Sequence, residues 1–314
     1  MSTGTGARTT PRTGRGPAAV PHTPGGRMGR RWLVTGGSSG LGRALAEAAA
    51  AAGHEVAVTA RSTAALEETA ARHPGRIVPI PLELRDAAQC EEAVRQATAR
   101  LGGIDVLVNN AGAGLFGAVE EISDAEIRDQ TETLLIGPWR LIRLVLPGMR
   151  AQGHGHIVNV SSLAGRTAFP GLGAYVAGKF ALEGMSQALA AEVAALGIRV
   201  TVVEPGGFAT RYGTSLGRSA RQLPEYAPAT AGMLDGLRGM ADDAALGRPE
   251  DFAARVLALV AAGSATPLRV PIGQDAFSYL EAVEQAARDE LAAARALADA
   301  APPPAVEGAA HDPV

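Results

Sequence analysis

Residues 32–42, which read WLVTGGSSGLG, decide the fold of this 314-residue chain. The apolar triplet 32–34 predicts a short buried strand, and residues 43–52 continue as a helical pattern that ends at Gly53. A strand, a glycine-rich loop and a helix in this order are typical of a site for a dinucleotide pyrophosphate. The glycines let the backbone approach the phosphates, and the helix N-terminus supplies unpaired N–H groups. An ordinary strand-to-helix turn is the alternative, although such a turn seldom needs so many glycines and hydroxyls together.

Strand and helix patterns alternate along the rest of the chain, as a doubly wound α/β fold requires. Further strands are predicted at 55–59, 76–84, 104–108, 156–160, 198–203 and 268–272, which makes about seven in all. A long helical pattern over 124–150 is interrupted at Gly137-Pro138, and residues 211–246 are expected to be an irregular segment over the cleft. The predicted fold class is α/β, a single Rossmann-type parallel sheet with helices on both faces.

Composition limits the function classes and the domain organisation. A net charge of −3 does not favour nucleic acid or a membrane surface as partner, and no apolar run has the roughly 18–20 residues of a membrane span. The single cysteine, Cys90, excludes an intrachain disulfide and fits a reducing cytoplasm. We expect a disordered extension over residues 1–30, a dinucleotide-binding domain over 31–299 and a disordered tail over 300–314. A basic nucleic-acid arm and a translation start at Met28 are alternatives for the extension.

The carboxyl ends of the predicted strands carry candidate cofactor residues, because these ends share one edge of a parallel sheet. A fold that uses NAD tends to place an acid after the second strand, for the ribose 2′-hydroxyl, whereas this chain has Ala60 followed by Arg61. Arg61 therefore favours NADP(H) over NAD(H), a solvated surface arginine being the alternative. The fourth strand ends in Asn109-Asn110-Ala111-Gly112, and such small residues suit a ligand that lies across the sheet edge.

Tyr175 and Lys179 are the candidate acid–base pair. They are one helical turn apart, and an ammonium at that distance is expected to lower the pKa of the phenol, which is ordinarily near ~10. The pair alone is a weak signal, but Ser162 follows the fifth strand and reaches the same cleft. His154 and His156 have no third ligand nearby in the sequence, so we expect no metal site.

Together these motifs resemble the short-chain dehydrogenase/reductase family in its compact, NADP-preferring branch. The resemblance covers residues 32 to about 280 and rests on motifs that occur in order: Thr35-Gly36-x-x-x-Gly40-x-Gly42, Asn109-Asn110-Ala111-Gly112, Ser162, Tyr175-x-x-x-Lys179 and Pro205-Gly206. It implies that Ser162 holds the substrate oxygen, Tyr175 transfers its proton and Lys179 lowers the pKa of Tyr175. It also implies a set of cofactor contacts: Thr35, Gly36, Ser38, Ser39, Gly40, Leu41, Arg61, Glu83, Leu84, Asn110, Ala111, Gly112, Tyr175, Lys179, Pro205, Gly206 and Thr210.

Two positions depart from the family pattern. Leu134 stands where the family has an asparagine that anchors a proton-relay water, and leucine cannot hold such a water. Loss of one acid–base element can cost on the order of 10²-fold in rate. Glu83 stands where the family has an aspartate that contacts the adenine, and Leu84 can still offer its backbone.

The sequence thus predicts an NADP(H)-dependent oxidoreductase that interconverts a ketone or aldehyde and an alcohol on a small, lipophilic substrate. An NADP(H)-binding sensor or scaffold with weak or no turnover is the alternative, because Leu134 replaces the usual relay asparagine. The substrate pocket is expected in residues 163–172 and 207–246, where Phe169, Phe208, Tyr212 and Leu216 either line it or pack elsewhere.

The resemblance implies a homodimer or homotetramer built from the helices 124–150 and 174–196. Small residues of the second helix would allow close approach, or they face the chain's own sheet: Ala181, Gly184, Ala188 and Ala191.

Overall fold

A seven-stranded parallel sheet forms the centre of the molecule. The computed structural model describes residue 1 and residues 29–210, 212–240, 243 and 245–300. The predictions for the tail beyond residue 300, and for all but three residues of the extension 1–30, lie outside the described residues. The prediction of a Rossmann-type parallel sheet is confirmed.

The described strands are bounded as follows: β1 Arg31–Thr35, β2 Glu55–Ala60, β3 Ile77–Pro81, β4 Val106–Asn109, β5 Leu115–Phe116, β6 Gly155–Val160, β7 Ile198–Pro205, β8 Gly217–Arg218 and β9 Arg269–Ile272. The described α-helices are α1 Gly40–Ala51, α2 Ala64–Arg72, α3 Ala87–Leu101, α4 Asp124–Thr131, α5 Gly137–Gln152, α6 Gly173–Val193, α7 Ala227–Gly239, α8 Pro249–Ala262 and α9 Gln274–Ala300. The main sheet has the strand order β3-β2-β1-β4-β6-β7-β9. The short strands β5 and β8 pair with each other outside it.

Successive side chains of the strands belong alternately to two hydrophobic clusters, one on each face of the sheet. Trp32 and Val34 of β1 pack with α1 and α8, whereas Leu33 points to the opposite face and packs with α3, α5 and α6. This alternation follows from the two-residue period of a strand. Because helices cover both faces of the sheet, the strands are buried. The polar residues at the strand ends therefore lie at the carboxyl edge of the sheet.

Two local predictions are corrected. Gly137-Pro138 does not interrupt the long helix, because a π-helical turn over Glu132–Ile136 joins α4 to α5 and the Gly137 amide donates to the Glu132 carbonyl. The segment 211–246 is not irregular throughout, because it contains β8 and the 13-residue helix α7. Strand β8 pairs with β5, at Leu115 with Gly217, and this pairing holds the segment against the main domain.

Candidate active site

The glycine loop between β1 and α1 is shaped by close packing. Gly36 has φ +71° and Gly40 has φ +54°, a backbone region that favours glycine. A Cβ at Gly36 would lie 2.7 Å from the Ala111 Cα atom, and a Cβ at Gly42 would collide with the Gly36 carbonyl. Ser39 stands at the N-terminus of α1 and makes no side-chain capping bond. The helix N-terminus is therefore left open towards the sheet edge, as a phosphate site requires.

The end of β4 is fastened to the glycine loop by hydrogen bonds. The Thr35 hydroxyl accepts from the amides of Asn110 and Ala111, at 3.0 Å each, and donates to the Val108 carbonyl. The Asn110 side chain donates to the Thr35 carbonyl at 2.9 Å. Thr35 and Asn110 therefore brace the two strand ends that flank the predicted cofactor site.

The predicted adenosine end lies at the carboxyl ends of β2 and β3. Arg61 is exposed, and its charge helps to lower the pKa of Glu83, after the larger effect of hydrogen bonding from Arg85. The Arg85 guanidinium bonds both carboxylate oxygens of Glu83 at 3.2 Å. An open cleft of about 380 Å³ lies here, lined by Glu83, Arg85, Asp86 and Asp129. The Glu83 carboxylate is thus engaged by Arg85, a partner that the sequence motifs did not indicate.

Ser162, Tyr175 and Lys179 are brought together at the middle of the sheet edge. Ser162 follows β6, and its hydroxyl accepts from the Ala164 amide at 3.2 Å. Tyr175 lies in the first turn of α6 and is 9% exposed, while Lys179 is 5% exposed one turn later. The Lys179 ammonium donates to the Val160 carbonyl at 2.7 Å and lies 5.6 Å from the centre of the Tyr175 ring.

The expected lowering of the Tyr175 pKa is not found. Burial raises the pKa of Tyr175, and polar interaction with the hydroxyls of Ser162 and Tyr212 lowers it to a smaller extent. Burial also lowers the pKa of Lys179 to about 8, although the charge of Glu183 raises it in part. Desolvation acts against the charged form of both groups and is the largest effect on the pKa of each.

Leu134 lies beside the lysine, in the π-helical turn that joins α4 to α5. It is 1% exposed, and a Cβ at Gly178 would lie 2.8 Å from its Cδ1 atom. A Cβ at Gly112 would lie 3.2 Å from its Cδ2 atom. Leu134 therefore fills the space between the end of β4 and α6 with hydrocarbon.

The loop after β7 is held by the end of β9 and by the first turn of α9. The Gly206 amide donates to the Ile272 carbonyl at 2.9 Å, and the Gly207 amide donates to the Asp275 carboxylate at 2.6 Å. Thr210 lies against the glycine loop, since a Cβ at Gly40 would be 3.6 Å from its Cγ2 atom. The sequence motifs did not indicate Asp275, whose position at the start of a helix was the only available signal.

A third hydrophobic cluster covers the predicted catalytic side chains. Phe116, Leu134, Leu172, Tyr175 and Leu234 are buried in it, and other side chains pack against it, including Phe169, Tyr212 and Leu216. Phe208 is the exception among the predicted pocket residues, because it packs against Phe252 in the core, with ring centroids 5.8 Å apart. Sequence reasoning missed Phe116, whose apolar character does not distinguish it from an ordinary core residue, and it included Leu172 only within the predicted pocket segment 163–172.

His154, just before β6, and His156, within β6, have separate partners. The His156 Nε2 atom lies 2.8 Å from the Thr201 hydroxyl, and His154 lies 3.2 Å from Asp105. Within the described ranges, no three His, Cys, Asp or Glu side chains group closely enough to hold a metal ion. Of the helices that the structure describes, none combines the length and apolarity that crossing a membrane demands.

Comparison with known proteins gives concordant results. Residues 30–220 match the family described as short chain dehydrogenase. The oxidoreductase BOA17 of Botryotinia fuckeliana is 37% identical over 253 residues, which cover 80% of this chain and 92% of that protein. A short-chain dehydrogenase from Streptomyces avermitilis has a solved structure with a TM-score of 0.79 and 40% identity, over 87% of this chain and 98% of that one. A metagenomic short-chain oxidoreductase solved in complex with NADP has a TM-score of 0.61 and 28% identity, over 77% of this chain and 96% of that one.

Proposed function

This chain belongs to the short-chain dehydrogenase family, and on that premise we propose that it is an NADP(H)-dependent reductase of a small, lipophilic ketone or aldehyde. The observation that carries the proposal is the convergence of Ser162, Tyr175 and Lys179 beside the glycine loop, at one edge of the sheet. Carbonyl reduction requires hydrogen-bond donors to the carbonyl oxygen and a proton donor, and the two buried hydroxyls and the buried ammonium can supply them.

The residues at the sheet edge fit a nicotinamide dinucleotide. The positive φ angles of Gly36 and Gly40, and the lack of room for a Cβ at Gly42, keep the loop close to the α1 N-terminus. Thr35, Ser38, Ser39 and Leu41 complete this loop, and Asn110 and Ala111 flank it. Pro205, Gly206 and Thr210 would hold the nicotinamide end, and Glu83 and Leu84 the adenine. When bound, the nicotinamide supplies hydride-transfer chemistry.

The protein's own residues supply the proton and hold the oxygen. Ser162 and Tyr175 donate to the substrate oxygen, and Tyr175 gives up its proton as negative charge develops there. Because burial raises the pKa of Tyr175, the phenol is protonated at neutral pH and is competent as an acid. In the reductive direction this protonated phenol is the proton donor, and in the reverse direction a phenolate would accept the proton. Lys179, positively charged below its pKa of about 8, stabilises the phenolate that remains.

Arg61 supports the preference for NADP(H). It is an exposed cation at the end of β2, where the family places the 2′ substituent of the adenosine ribose, and Ala60 leaves no acid beside it. Arginine pairs with phosphate in a bidentate fashion that a hydroxyl cannot reproduce.

Leu134 supports a second candidate function, an NADP(H)-binding sensor or scaffold with weak turnover. Its hydrocarbon fills the place beside Lys179 where the family has a relay asparagine. The two functions differ in one measurable respect, because a sensor binds the cofactor tightly and turns over no carbonyl compound.

The assembly and the compartment are also proposed. The outer faces of α5 and α6 expose Trp139 and Phe180, which suits a homodimer or homotetramer. The one cysteine, Cys90, is a free buried thiol, which suits the reducing cytoplasm.

The test is oxidation of NADPH and of NADH over a panel of ketones and aldehydes, with Tyr175→Phe as the matched control. We expect turnover that prefers NADPH and that falls by at least about 10³-fold in the variant. Tight NADPH binding without turnover of any compound would favour the sensor. Full turnover by Tyr175→Phe would contradict the proposed chemistry.

A further inference from the structure

Tyr212 brings a second phenol to the catalytic tyrosine. Its ring centroid lies 5.7 Å from that of Tyr175, at an interplanar angle of 53°. Its hydroxyl is buried and forms no hydrogen bond of good geometry within the described residues, although it lies near enough to the Tyr175 hydroxyl to lower the pKa of that group. Gly114 makes room for this hydroxyl, because a Cβ at Gly114 would collide with it and with Leu216. The strands β5 and β8, which directly follow Gly114 and Leu216, pair with each other and hold these two residues close together.

A buried hydroxyl without a partner is unfavourable, and a bound ligand can correct it. Leaving such a group unsatisfied has a cost comparable to a lost hydrogen bond. Burial raises the pKa of Tyr212 well above its ordinary value, so the hydroxyl stays protonated and can donate. The oxygen of the reacting carbonyl has two lone pairs, and Ser162 and Tyr175 use both of them in the proposed function. The Tyr212 hydroxyl is then available for a different oxygen of the substrate.

The surroundings of Tyr212 restrict what that oxygen can be. Phe116, Leu134, Leu172 and Leu216 make the neighbouring surface apolar. A charged group would be expensive to bury against these side chains, so the second oxygen is neutral. Because the two phenol rings are in contact, their hydroxyls reach only oxygens that are close together in the substrate.

We propose that Tyr212 binds a second, neutral oxygen one or two carbons from the reacting carbonyl, and that the substrate class is a lipophilic ketone with a neighbouring ketone, ester or hydroxyl group. This inference rests on the proposed function, which assigns the carbonyl oxygen to Ser162 and Tyr175. Tyr212 is thereby a specificity residue.

The test compares ethyl 3-oxohexanoate with 4-nonanone, which has the same chain length and the same ketone position but lacks the ester. Both are measured in the wild-type protein and in Tyr212→Phe, which keeps the ring and loses the hydroxyl. We expect kcat/KM for the ketoester to fall about tenfold in the variant, and that for 4-nonanone to change less than about twofold. Leu216→Ala is the control for the apolar wall, and it should weaken both compounds alike.

A second readout does not depend on turnover. In the presence of NADP⁺, which cannot reduce a ketone, calorimetry gives the Kd of each compound for the wild-type protein and for the variant. We expect the Kd of the ketoester to rise about tenfold in Tyr212→Phe while that of 4-nonanone stays constant. Equal changes for both compounds, in binding and in kcat/KM, would overturn the inference. Selective loss of ketoester binding in a protein that reduces neither compound would uphold it and overturn the proposed reductase function.

Discussion

Lys179 is the only lysine in the sequence, which otherwise uses arginine as its basic residue. The difference matters at a buried site, because arginine stays charged at every accessible pH whereas lysine can lose its proton. Burial lowers the pKa of Lys179 to about 8, and the charge of Glu183, one turn further along α6, opposes that effect. The site therefore holds a cation that is present at neutral pH and is lost in mildly alkaline solution.

The single lysine makes a direct titration practicable. Protein labelled with ¹³C-lysine should give one Cε resonance, and we expect its midpoint near pH 8 in the folded protein and near 10.5 in urea. Because the folded pKa lies below the unfolded one, the unfolded state binds more protons between these values, and this group makes the protein more stable as pH rises through that window. The gain amounts to at most about 3 kcal/mol. Glu183→Gln removes the charge that raises the pKa of Lys179, so the Lys179 midpoint should move to a lower pH in this variant. A folded midpoint at 10.5 or above would contradict this account.

Three residues of the site show what the sequence could and could not predict. The spacing of Tyr175 and Lys179 on one helix placed them together, because a helix turn fixes the neighbours at four residues. The direction of the Tyr175 pKa was predicted wrongly, because burial depends on the cluster that covers the ring and no local pattern encodes it. Tyr212 was predicted only as an apolar pocket residue. The role of its hydroxyl depends on its position beside Tyr175 in the folded chain, which the sequence does not show.

At the scale of elements, the strands were predicted well and the joints between helices were not. Six of the seven main strands follow from short apolar runs that glycine or polar residues end, and β3 is shorter than predicted, at Ile77–Pro81. The Gly137-Pro138 pair suggested a break because proline lacks an N–H. The π-helical turn over Glu132–Ile136 avoids the break, and Pro138 then occupies the first turn of α5, where a missing N–H costs little. Such a turn arises from packing in the folded chain, and no hydrophobic periodicity in the sequence indicates it.

The π-helical turn is also where the relay can be tested. Leu134→Asn places an amide in the buried space beside Lys179, in contact with Gly178 and Gly112. We expect the free energy of unfolding to fall by about 2–4 kcal/mol, because apolar burial is lost and a polar group is buried. We also expect kcat to rise on the order of tenfold, because an amide can hold a relay water that leucine cannot.

The matched control is Leu134→Met, which keeps the site apolar and should cost less than about 1.5 kcal/mol. Urea unfolding and steady-state kinetics on the same preparations give both quantities. An unchanged kcat in Leu134→Asn, with normal NADPH binding, would show that the chain does not use a relay at this position.

At the scale of the whole molecule, the two faces of the sheet are covered but the outer faces of α5 and α6 are not. Trp139 is 48% exposed and Phe180 is 46% exposed, both on helices whose inner sides pack on the sheet. Gly184, Ala188 and Ala191 are exposed on α6, so for these three the alternative that they face the chain's own sheet is wrong, whereas Ala181 is half-buried. A Cβ at Gly184 would meet nothing within 4 Å, which leaves room for another helix to approach. Large aromatic side chains beside small residues are typical of a protein interface.

We therefore expect a second copy of the chain to cover this face, through helices α5 and α6 of both copies. Trp139→Glu puts a charge at the centre of that contact, and because buried aromatic anchors contribute most of an interface's binding energy, the variant should dissociate. Sedimentation velocity at micromolar concentration should give a dimer or tetramer for the wild-type protein and a smaller species for the variant. Leu291→Glu is the matched control, since Leu291 is a 64% exposed apolar residue on the distant part of α9, and its sedimentation should equal that of the wild type. A wild-type monomer, or dissociation of both variants alike, would contradict an assembly built on this face.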